Sequence, residues 1–60
     1  MSTVYNPESE MVTQIERLER EGREIRNKVE HVRNESDRRA LNRQLQEIRE
    51  EIAFLQARLA

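Results

Sequence analysis

The sequence predicts an all-α fold: an antiparallel two-helix hairpin in coiled-coil style that pairs into a four-helix bundle. Two observations predict it. Apolar residues recur in alternating steps of four and three along Met11, Ile15, Leu18, Gly22, Ile25, Val29 and Val32, and again along Leu41, Leu45, Ile48, Ile52, Leu55 and Leu59. Between Val32 and Leu41 the step is instead nine residues. At about 100° per residue this turns a helix through about 900°, so one straight rod would carry its two seams on opposite sides. Breaking the helix near residues 34–37 and folding it back joins the seams. A rival continuous register through Val32, Ser36, Ala40, Gln44 and Ile48 puts polar Ser36 and Gln44 on the seam and strands Leu41 and Leu45.

The elements follow in order within a single domain, 1–60. Residues 1–5 lack helical periodicity and read as an extended arm. Asn6-Pro7-Glu8 is a helix start. Asn caps, Pro needs no N–H at the first helical position, and an acid suits the positive end of the helix dipole. The first helix is expected over about 7–33, with Lys28, His31 and Arg33 in its last turns. Asn34 is expected to end it in the left-handed conformation, and Ser36 or Asp37 to cap the second helix. The turn occupies about 34–36 and the second helix about 37–59.

Folded at that turn, the seams pair layer by layer. Val32 is expected opposite Leu41, Val29 opposite Leu45, Ile25 opposite Ile48, Gly22 opposite Ile52, Leu18 opposite Leu55, and Ile15 opposite Leu59. Every layer is apolar. Gly22, a missing side chain opposite a large one, suggests close packing, since glycine inside a helix costs about 0.5–1 kcal/mol against alanine. The same register sets Arg26 near Arg49 and Glu21 near Glu51. The hairpin alone does not explain these like-charged neighbours, and a second copy could offer opposite charges.

Size and composition bound the function. A domain of 60 residues without cysteine has no disulfide or thiolate metal staple and is marginal alone, so burial of the seam by a partner is expected. The segment MSTVYNPESE lacks the charged and apolar regions expected of a signal peptide, and no stretch approaches the length of a membrane span. The expectation is a soluble cytoplasmic protein. Charged residues make up 38% of the chain but nearly cancel, to a net charge of −1. General attraction to nucleic acid or membrane is not expected.

No catalytic, cofactor-binding or metal-binding constellation is visible, and an enzyme is not expected. His31 has Glu30 and Glu35 nearby but lacks the spacing of a helical metal site. Two features carry candidate contacts. Lys28, Arg33, Arg38, Arg39 and Arg43 gather around the turn as candidate phosphate contacts, though without interleaved aromatics. Phe54, off the seam between Ala53 and Ala57, is a candidate partner contact together with Tyr5, Met11 and Val12 at the same end. The expected function is non-catalytic protein–protein binding. The chain would self-associate through the seam as a homodimer or higher oligomer, or dock as a small subunit or adaptor on a larger complex. The alternatives are a nucleic-acid-binding regulator that uses the basic turn or a helical face, and a small inhibitor that occupies a partner's groove.

Overall fold

A computed structural model describes residues 6–59. They form two helices, α1 (Pro7–His31) and α2 (Glu35–Leu59), packed against each other as a hairpin, with no strand among the described residues. The expected arm, 1–5, lies outside the described residues.

Both helices begin with an asparagine. The Asn6 side chain accepts hydrogen bonds from the backbone N–H of Glu8 (3.0 Å) and Ser9 (3.4 Å). This satisfies donors that have no partner within the first helical turn. Pro7 stands at the helix start, Glu8 and Glu10 lie in the first turn, and Lys28 and His31 lie in the last. At the turn, the Asn34 side chain accepts from the N–H of Ser36 (2.8 Å) and Asp37 (3.4 Å), and the Arg38 N–H reaches the Asn34 carbonyl at 3.0 Å.

The turn therefore differs from the sequence reading. Asn34 caps α2 instead of ending α1, and Ser36 and Asp37 lie inside the first turn of α2. No non-glycine residue among those described has positive φ. Instead α1 stops at His31, and Val32 is extended at φ −82° and ψ 134°. A β-branched residue leaves a helix readily, and asparagine is among the strongest N-caps. Arg38 closes the turn: its Nη2 donates to the Val32 carbonyl at 3.0 Å, and its Nη1 lies 4.0 Å from Glu35 Oε2.

The earlier stop of α1 shifts the pairing by one layer. The hairpin is centred on Arg33 and not near Ser36. A Cβ built on Gly22 would lie 3.7 Å from Leu45 Cδ1 and 3.7 Å from Ile48 Cγ2, so Gly22 packs nearer the turn than the expected Ile52. Gln14 Nε2 donates to Glu51 Oε1 at 3.4 Å, which fixes the same register at the far end. Residues equidistant from Arg33 then lie level: Ile25 with Leu41, Leu18 with Ile48, and Met11 with Leu55. The inner layers stay apolar, because sliding one heptad stripe past another by one layer exchanges one apolar pair for the next, while at the ends Val29 comes level with Asp37 and Leu59 with Pro7.

The seam is the whole interior. Ile15, Leu18, Leu45 and Leu55 are 7–8% exposed, and Gly22 is buried. Met11, Ile25, Val29, Val32, Leu41, Ile48, Ile52 and Leu59 are half-buried. Gln14 is the one other described residue that is not exposed. The hairpin alone thus dries four large side chains. It leaves the others partly wet. The shape is elongated, with a radius of gyration of 15.1 Å against about 10 Å for a compact chain of this length.

Candidate functional site

The hairpin has two broad sides, and they differ. In an antiparallel pair, residues one position after a Met11-, Leu18- or Ile25-type seam position fall on one side, and those one before an Ile15- or Gly22-type position fall on the other. The first side carries Val12, Glu19, Arg26, Asn42, Arg49 and Gln56, with Glu16 and Arg23 beside them. The second carries Gln14, Glu21, Lys28, Gln44, Glu51 and Arg58, with Phe54 beside them.

On the first side a groove of about 350 Å³ lies over Gly22. Its floor is Gly22, Leu45, Ile48 and Ile52, and its rim is Glu19, Arg23, Arg26 and Arg49. The floor is apolar because these are seam residues. It is open because Gly22 contributes no side chain to cover Ile48 and Ile52, which stay half-buried. The distances of 3.7 Å from a Cβ at Gly22 are ordinary van der Waals contacts, so the hairpin itself has room for alanine there. Close packing inside the hairpin does not account for the glycine.

The second side carries two side-chain contacts. The Gln14–Glu51 hydrogen bond spans the seam, and the Arg58 guanidinium lies over the Phe54 ring, 5.7 Å from its centroid. Phe54 is nevertheless 60% exposed, and Val12, on the groove side, is 44% exposed. The two therefore do not form one patch, though both stand near the open end. Met11 packs against the cluster of Ile15, Leu18 and Leu55. Tyr5 lies outside the described residues.

The flanking charges change with the register. Glu51 meets Gln14, not Glu21. Arg26 and Arg49 do share the groove rim, but Glu19 joins them there. Around the turn, Lys28, Arg33, Arg38, Arg39 and Arg43 are all exposed. Arg39 and Arg43 line a shallow polar hollow with Ser36 and Ala40, whereas Arg38 is engaged in the turn itself. His31 Nδ1–H donates to the Asn27 carbonyl at 2.8 Å. Among the described residues, no group of three or more His, Cys, Asp or Glu is placed to hold a metal ion, and no helix is long and apolar enough to cross a membrane.

Sequence reasoning missed the roles of Gln14, Glu19, Arg23 and Arg38. The first three become legible once the register is known. The signal for Arg38 is its place one turn after Asn34, within reach of the free carbonyls that end α1. No protein-family model, curated protein or solved structure matches the chain.

Proposed function

We propose that the hairpin is a non-catalytic self-association module, and that two copies stack broad side to broad side as a four-helix bundle. The observation that carries this reading is the groove at Gly22: an apolar floor drawn from the seam and open between charged rims. Covering it would bury the half-exposed Ile48 and Ile52 and continue the interior between four helices. Each helix has 25 residues. At about 1.5 Å per residue and about 10 Å across per helix, the two present a side of roughly 750 Å², near the roughly 800 Å² per partner of a standard interface.

Sedimentation equilibrium across protein concentration, with helix content read on the same samples, tests this reading. The expected mass rises from the 7.2 kDa of one chain to twice that value, and helix content rises with it. A folded chain that stays at the single-chain mass up to high micromolar concentration would refute self-association and leave the hairpin intact.

A further inference from the structure

Resting on the self-association reading, we infer how the second copy sits: α1 of one hairpin lies antiparallel on α1 of the other, so that the two turns point to opposite ends. Along the groove side, α1 carries Glu16 and Glu19, then Gly22, then Arg23 and Arg26. The pattern is acidic before the glycine and basic after it. A two-fold axis placed between Glu19 and Arg23 lays the acidic pair of one copy against the basic pair of the other, and the same contact repeats by symmetry. Among the described residues none forms an ion pair with Glu16, Glu19, Arg23 or Arg26 within one chain, and all four side chains are exposed.

Gly22 independently favours the same axis. It lies where the two α1 helices would cross, and the hairpin itself does not need a glycine there. A residue without a side chain at a crossing lets two backbones approach closely. On α2 the same axis passes level with Leu45, so Arg49 lies near Leu41 and Asn42 of the second copy and Gln46 near its Gln44, and no like-charged pair is forced. The opposite stack, α1 on α2 with both turns at one end, pairs Glu19 with Arg49 but leaves Arg23 and Arg26 facing Gln46 and Asn42.

Charge exchange distinguishes the stacks. One variant carries Glu16→Arg and Glu19→Arg, and a second carries Arg23→Glu and Arg26→Glu. In the antiparallel α1 stack each variant repels its own copy, and each is expected to self-associate about tenfold or more weakly than the natural chain, since every flanking pair turns repulsive. Mixed in equal amounts, the two variants are complementary at all four positions, and a heterodimer with restored helix content is expected. A chain with all four exchanges is expected to self-associate like the natural one, which guards against simple misfolding of either variant. If the Arg23→Glu, Arg26→Glu variant self-associates as the natural chain does while the Glu16→Arg, Glu19→Arg variant is weakened, the α1 stack is overturned and the opposite stack is supported. If both variants match a natural chain that dimerises, this side is not the interface, although the chain still self-associates. A natural chain that stays single at every concentration defeats the underlying reading instead.

Discussion

The two broad sides of the hairpin share one seam but dispose of it differently. On one side a polar residue, Gln14, reaches across to Glu51 and is half-buried in doing so. On the other, Gly22 of the seam contributes no side chain, and a groove opens between charged rims. The same apolar interior is thus bridged by a hydrogen bond on one side and left accessible at a groove on the other. Where a two-helix protein leaves its seam open tells more about a partner than how apolar the seam is.

Substitutions in the shared seam should be felt on both sides and have the largest effect. Leu18→Ala removes a side chain only 8% exposed. It should destabilise the hairpin by about 2–5 kcal/mol, enough to remove most helix content in a thermal melt followed by circular dichroism. Val12→Ala on the exposed edge should change the same melt by under about 0.5 kcal/mol.

Filling the groove should separate folding from association. Gly22→Leu places a large side chain over Ile48 and Ile52. Helix content in dilute solution should hold or rise, while the association constant falls by about tenfold or more as the crossing is blocked. Tighter association by this variant would mean that the groove admits no close approach of a second helix.

Loss of a cap should fall between these effects and lesser ones. Asn34→Ala removes the acceptor for two N–H groups of α2. It should lower stability by about 0.5–2 kcal/mol, with a matching loss for Asn6→Ala at the start of α1.

The smallest changes sharpen the contrast of sides. Gly22→Ala should raise the stability of the hairpin by about 0.5–1 kcal/mol, because its Cβ meets only ordinary contacts. Phe54→Ala, on the side opposite the groove, should leave the association constant unchanged. A clear loss of association on truncating Phe54 would move the interface to the side on which Arg58 covers the ring.

The helices and the seam were legible from sequence because a heptad pattern reports which residues face inward. The nine-residue step from Val32 to Leu41 reported that the chain must fold back. The register was not legible, for a physical reason. Two heptad stripes remain apolar at every inner layer when slid by one layer, so the length of the turn selects among alignments. That length depended on Asn34, which is competent either to end one helix or to cap the next. The cap won, α1 ended at His31, and every layer moved by one. The groove followed from the same detail, since Gly22 against Leu45 and Ile48 leaves the floor open with Ile52 beside it. The like-charged pair expected between Glu21 and Glu51 belonged to the unshifted alignment. Phe54 was legible as exposed, but its separation from Val12 required knowing which side each occupies.

One interchain distance tests the central claim most directly. A single spin label at Arg33, in the exposed turn between α1 and α2, reports only on pairs of chains. An antiparallel α1 stack centred between Glu19 and Arg23 sets the two turns roughly 36 Å apart, at about 1.5 Å per residue. A distance near that value, appearing as the chains associate, is the expected result. Labels within roughly 20 Å would place both turns at one end of the bundle. Either that short distance or the absence of any interchain coupling at concentrations where the chain is fully helical would contradict the account.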